Sequence, residues 1–195
     1  MGLSIHYSGQ IKAPELLPYL IEEVKDIAEI YKWKYHIYDA VFSKNSVEEI
    51  PSSKQVYGIS FTPTNCETIS LTFLRSGVMI CPIRLFLSLN PQDEQEQIFL
   101  NTISVKTQYA GVELHQFIIH LLKYLNDKYF SNFIVNDESE YWETGDEEKM
   151  KNQFKKYNEL VENFALAIET FPSKNGEDMI AYFERLMKKV NDLNK

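Results

Sequence analysis

The stretch Val105-Lys106-Thr107-Gln108-Tyr109-Ala110-Gly111 leads into a Leu-rich segment and then into Phe130-Ser131-Asn132-Phe133-Ile134-Val135-Asn136-Asp137. Alternating side chains, a break at Tyr-Ala-Gly, a stripe at helical spacing and a closing aspartate predict a strand–turn–helix–strand unit. The start of the chain carries the same pattern. It reads Leu3-Ser4-Ile5-His6-Tyr7-Ser8-Gly9, an amphipathic segment opened by Pro14, then Trp33-Lys34-Tyr35-His36-Ile37-Tyr38-Asp39. Taken together, residues 3–39 and 105–137 form a pseudo-repeat of two β-α-β-like units. Parallel strands joined by a helix bring their C-terminal ends to one sheet edge. That edge would gather Tyr7-Ser8-Gly9, Asp39, Tyr109-Ala110-Gly111 and Asp137, where ligands sit in α/β sheets. Tyr7 to Asp39 is 32 positions and Tyr109 to Asp137 is 28, so the first helix is expected to be one turn longer.

Between the units the chain is β-rich. Residues 56–62, 68–74 and 78–83 read as three short strands of an antiparallel meander, with turns at Pro63-Thr64-Asn65 and Arg75-Ser76-Gly77. A further strand is expected over about 99–109. Residues 43–55 read as a loop or short helical turn, and 88–97 as a polar excursion. After Asp137 two helices are expected. Thr144 and Glu147 have capping-box spacing, and Met150, Phe154, Tyr157, Val161, Phe164 and Ile168 follow at helical intervals. Pro172 and Gly176 break that helix, and Met179, Ile180, Phe183, Leu186, Met187 and Val190 mark the next. Phe154, Tyr157, Phe164 and Phe183 are bulky enough to need burial against the rest of the chain or a second copy.

The expected fold is therefore α+β. It has one mixed sheet of about seven strands with two helices on one face, a central antiparallel meander and a C-terminal helical hairpin. The expected domains are 1–143 for the sheet domain and 144–195 for the hairpin packed on it.

Composition narrows the function. The 195 residues are 44% hydrophobic and 13% aromatic, which suits a substantial core. A net charge of −8 argues against nucleic acid as a partner. No apolar run approaches a membrane span and no leader pattern opens the chain, so a cytoplasmic protein with no membrane contact is expected. Cys66 and Cys81 stand alone, without a metal-binding spacing, and are expected to be reduced thiols. No G-x-S-x-G, Walker A or G-x-G-x-x-G motif is present, and no cofactor is implied.

Two groups of residues carry candidate chemistry. From Asp137 to Glu148 there are seven carboxylates and no basic residue. Such oxygens can hold Ca²⁺ or Mg²⁺, but the spacing is not that of an EF-hand. Their plainer role is to be solvated and to cap the following helix, and no metal ligand is assigned. Tyr141 and Trp142 interrupt the run, so one of them is expected to be largely buried. His115 lies beside the Gly111 turn, where it could act as a general base with Asp137. His120 should be exposed, and His6 and His36 share the polar sheet face. Glu143 completes the candidate catalytic set with His115 and Asp137.

The segment Gln108-Tyr109-Ala110-Gly111, a Leu-rich helix, and Asp137-Glu138-x-x-Tyr141-Trp142-Glu143-Thr144-x-Asp146 resembles a family of uncharacterised bacterial cytoplasmic proteins. The resemblance covers about 40 residues and brings no activity with it. It draws attention to Tyr109, Glu138, Tyr141 and Trp142 as ligand- or partner-binding residues. The expected function is a non-enzymatic binding or regulatory module for a protein partner, whose C-terminal helices can also pair two copies as a homodimer. The alternative is a small-molecule or divalent-metal-dependent enzyme with its site at the shared strand edge.

Overall fold

The structure is a computed structural model that describes residues 2–40, 55–87, 93–174 and 176–193. Most of the loop expected at 43–55, and part of the polar excursion at 88–97, fall outside these residues.

The β-structure is two three-stranded antiparallel sheets rather than one mixed sheet of seven strands. The first has the order β5-β1-β6, with β1 (Ser4–Ile11) between β5 (Ile103–Lys106) and β6 (Phe130–Asp137). The second is a meander of β2 (Lys34–Ile37), β3 (Tyr57–Thr62) and β4 (Ile69–Phe73). Both flanking strands run antiparallel to β1, so β5 and β6 are parallel to each other. The second unit is thus a β-α-β crossover split by the N-terminal strand. The first unit is laid out differently, because β1 and β2 belong to separate sheets. His6 and His36 consequently lie in different sheets.

The helices also depart from simple repetition. α1 (Leu17–Ile30) has 14 residues and α4 (Val112–Tyr129) has 18, the reverse of the expected difference. The extra positions of the first unit go into the longer β1 and a 3₁₀ turn at Pro14–Leu16. The two glycines do different work. At Gly9 the strand continues through a register shift, and an added Cβ would come within 2.9 Å of the Phe133 ring. Gly111 turns the chain into α4 at φ 90°, a region that favours glycine.

Two short helices occupy positions expected to be strand. Val78 and Met79 make only isolated bridges, and α2 (Pro82–Leu87) begins at once. The strand expected at 99–109 is shortened by α3 (Glu94–Asn101) before β5 and a 3₁₀ turn at Gln108–Ala110 after it. Arg84 ties α2 to α3: its Nη1 donates to the Phe99 and Thr102 carbonyls, both at 2.7 Å.

One core draws on both sheets, α1, α4, the single turn of α5 (Tyr141–Thr144) and the start of α6 (Glu147–Thr170). Leu3, Ile5, Tyr7, Ile103 and Val105 face it, as the alternation of β1 and β5 requires. Tyr7 joins the two sheets. Its hydroxyl donates to the Ser70 carbonyl at 2.9 Å and accepts from the Ser70 amide at 3.2 Å. It thereby satisfies the edge of β4 from within the other sheet.

The C-terminal hairpin divides into two halves. Met150 and Phe154 of α6 are buried in the main core and Tyr157 packs against it. Further along, Phe164 joins Ala167 of α6 and Leu186 of α7 (Met179–Leu193) in a cluster of the hairpin's own. Phe183 stays 42% exposed, so of the four bulky aromatics expected to bury against the rest of the chain or a second copy, Phe154 and Tyr157 meet the main core.

Removing the Tyr7 hydroxyl takes this partner from both Ser70 backbone groups at a part-buried seam. Tyr7→Phe should lower stability by about 0.5–1.5 kcal/mol, the net worth of a hydrogen bond. Urea unfolding monitored by circular dichroism measures it, and a midpoint equal to the unmodified chain would refute the seam.

Candidate functional site

Because β5 and β6 are parallel, their C-terminal ends lie at one edge, together with the start of β1. There the structure brings together Thr107, Gln108, His115, Asp137 and Ser139. The Tyr7-Ser8-Gly9 and Asp39 ends lie elsewhere, since β1 runs the opposite way and β2 is in the second sheet.

Asp137 is the centre of the group. Oδ1 faces His115 Nε2 at 3.1 Å and accepts the Ser139 amide at 2.9 Å. Oδ2 accepts the Ser139 hydroxyl at 2.8 Å and the Trp142 amide at 3.0 Å. Four donors use the carboxylate's full accepting capacity. His115 Nδ1 meets the Thr107 hydroxyl at 2.6 Å, and Nε2 also lies 2.9 Å from Ser139 Oγ. Both ring nitrogens therefore have a partner, Nε2 on the Asp137 side and Nδ1 at the Thr107 hydroxyl. The edge of the His115 ring meets the Phe154 ring at 5.2 Å, closing the group from α6. Beside it, Gln108 accepts the Leu3 amide at 3.1 Å and donates to Asn158 Oδ1 at 3.1 Å.

Every polar side chain of this knot is buried, with His115 0% and Asp137 2% exposed. Burial alone would push the Asp137 carboxyl up. The His115 hydrogen bond and charge, with the Ser139 amide and hydroxyl, outweigh it and hold the group below its ordinary value of 3.8.

The other candidate residues surround the knot without entering it. Tyr141 is buried, and its hydroxyl accepts from Gln116 at 2.7 Å and lies 3.2 Å from His120 Nε2. Trp142 is half-buried, its ring 6.0 Å from Phe133 with Lys123 Nζ 5.4 Å above it. One buried aromatic therefore does pin the acidic run. Glu138 accepts the Ser4 amide at 2.7 Å and lies 3.5 Å from His6 Nε2. Tyr109 and Glu143 are exposed, whereas the His115–Asp137 pair is buried. Asp146, not Thr144, caps α6, accepting the Lys149 amide at 3.0 Å. Among the described residues no group of three or more His, Cys, Asp or Glu side chains could hold a metal ion.

Sequence reasoning missed Thr107 and Ser139. Neutral hydroxyls are common in loops and give no signal, although Ser139 falls inside the Asp-Glu-x-x-Tyr-Trp stretch. It also missed two surface features. A cleft of about 540 Å³ lies between the sheets, with Tyr38, Cys66, Ser70, Cys81 and Ser104 in its wall. Burial, with the Glu67 charge beside it, raises the Cys66 thiol to about 11, which makes it a poor nucleophile. The second feature is apolar. Ile83, Phe86 and Leu87 of α2 and Ile98 and Phe99 of α3 are between 59% and 77% exposed.

No protein-family model, curated protein or solved structure matches the chain. Among the described residues no helix is long and apolar enough to cross a membrane.

The depressed Asp137 carboxyl makes stability depend on pH with a definite sign. The unfolded chain takes up this proton first, near 3.8. The group's contribution is therefore complete above that value and lost as pH falls through the lower folded value. Asp137→Asn should cost about 1.5–3 kcal/mol at pH 7, as for hydrogen bonds to charged groups. It should also flatten the stability profile below pH 4. Thermal unfolding of both chains from pH 2.5 to 7 reads this, and parallel profiles would show that Asp137 titrates normally.

Proposed function

We propose that this chain is a non-enzymatic binding module that recognises a protein partner. The observation that carries the reading is the cluster of large apolar side chains on the outer sides of α2 and α3, 59–77% exposed. Helices ordinarily turn such residues inward, and a contiguous exposed patch marks an interaction surface. The surroundings of His115 and Asp137 support the same reading. A general base needs reach to a substrate proton, whereas both groups are sealed and every hydrogen bond of the carboxylate is already made. The stretch that resembles uncharacterised bacterial cytoplasmic proteins then serves as scaffold, and the docking face lies elsewhere.

A homodimer through the C-terminal helices is a second reading with its own observation. Met179, Ile180, Phe183 and Met187 lie on one side of α7 and are 37–70% exposed, while Leu186 faces α6. Two hairpins laid together would form a four-helix bundle.

A photo-crosslinking residue at Phe86, with Tyr19 of α1 as an exposed control, tests the main reading in cells that express the chain. Phe86 should give one discrete adduct with another protein, and Leu87→Ser should abolish it. Adducts that are absent, or equal from both positions, would overturn the reading. Adducts of the chain with itself would replace it by self-association.

A further inference from the structure

We propose that the cleft between the two sheets binds a free α-amino acid with an apolar side chain, held by the backbone of Ser104. This adds a small-molecule ligand to the partner reading and does not depend on it.

The backbone of β5 decides the position. Alternate residues of an antiparallel strand turn their N–H and C=O toward the neighbouring strand or away from it. The Thr107 amide donates to the Leu3 carbonyl on the β1 side at 3.0 Å, whereas the Lys106 amide donates outward to Glu67 Oε2 at 2.8 Å. Ser104, two positions before Lys106, therefore also faces outward, and it stands in the wall of the cleft. Its neighbours on this edge are taken. The Lys106 carbonyl accepts the Glu67 amide at 3.5 Å, and the Thr102 carbonyl accepts from Arg84 Nη1 at 2.7 Å. Among the described residues the Ser104 N–H and C=O have no partner. The opening is one residue wide, so a continuing strand would have to displace Glu67 or Arg84. A single residue, with a donor and an acceptor flanking one carbon, fills it by the pairing that an added strand uses.

The two ends of the opening carry opposite charges. The Ser104 carbonyl lies on the side of Glu67, and its amide lies on the side of Arg84, whose Nη2 is 3.3 Å from Ser104 Oγ. The bonds that Arg84 makes to carbonyls leave its charge in place. An α-ammonium on the Ser104 carbonyl would thus sit beside the Glu67 carboxylate, and an α-carboxylate on the Ser104 amide beside the Arg84 guanidinium. The Lys106 stem lies toward Gly2 instead, where an added Cβ would come within 3.3 Å of its Cε. A residue inside a peptide offers the same donor and acceptor but neither charge, so the charges select the free amino acid. Pro82, Ile83 and Ile103 give the cleft apolar wall for a side chain, and its volume of about 540 Å³ is that of a small-ligand site.

The test uses the full isotope-labelled chain, titrated with L-leucine and with L-phenylalanine and followed by amide NMR. The Ser104 amide resonance should shift saturably with at least one of them. The N-acetyl amide of the same residue keeps donor and acceptor without the charges and should bind about tenfold more weakly or worse. Ser104→Ala keeps both backbone groups and should bind like the unmodified chain in isothermal titration. Ser104→Pro removes the N–H on the outward side, where an edge strand tolerates proline, and should weaken binding about tenfold or more. Glu67→Gln keeps an acceptor for the Lys106 amide, so it should weaken the free amino acid and leave the N-acetyl amide unchanged. Melting temperatures monitor folding of each variant, and Glu67→Gln carries the test if Ser104→Pro does not fold. No saturable shift with either amino acid would overturn the proposal, as would equal binding by Ser104→Pro and Ser104→Ala, or no loss in Glu67→Gln. Equal or tighter binding of the N-acetyl amide would overturn the free amino acid and make an extended peptide segment the occupant.

Discussion

An ionised carboxylate without water must find all its hydrogen bonds within the protein, and the arrangement of Asp137 follows from that constraint. Its four donors come from one side chain of α4 and three groups of the turn that follows β6. His115 passes the constraint on to Thr107 at the end of β5, while Phe154 of α6 closes over the ring. One buried charge therefore fixes the ends of both outer strands, the start of α4 and the approach of the C-terminal hairpin. The acidic run from Asp137 to Glu148 is held by this anchor despite its charge, with Tyr141 buried beside it.

The seam between the sheets is a second satisfied polar contact. β4 would present unpaired backbone groups at its outer edge, and such edges invite association. Tyr7 covers the position of Ser70, while Ile80 covers Thr72, its amide donating to the Thr72 carbonyl at 3.0 Å. Exposure is instead concentrated on helices, where α2, α3 and α7 carry large apolar side chains on their outer sides. The chain thus joins a polar interior that is closed and an apolar exterior that is open.

Much of this was legible in the sequence where one residue type at one spacing has one physical outcome. The alternation of Leu3, Ile5 and Tyr7 placed their side chains inward, and the stripes of α1, α4, α6 and α7 named those helices. The pairing of His115 with Asp137 followed from their places at a turn and a strand end. Partition into two sheets was not legible, because alternation says which way a side chain points and not which strand lies beside it. Gly9 and Gly111 looked alike in sequence, yet one accommodates Phe133 and the other turns the chain. The run Pro82-Ile83-Arg84-Leu85-Phe86-Leu87 passed for the end of a strand, since a short apolar run fits either structure. Its outward face, the basis of the proposed function, was hidden by that choice.

The claim at the centre of this account is that the Asp137 knot is a closed scaffold that opens only when the fold does. Native-state hydrogen exchange at the Ser139 and Trp142 amides tests it most directly. Both amides donate to Asp137, so they should exchange with the free energy of the slowest core amides of β1 and lose that protection together in Asp137→Asn. Rapid exchange of these two amides, by local opening in a chain whose β1 amides stay protected, would contradict it and return His115 and Asp137 to the list of reactive groups.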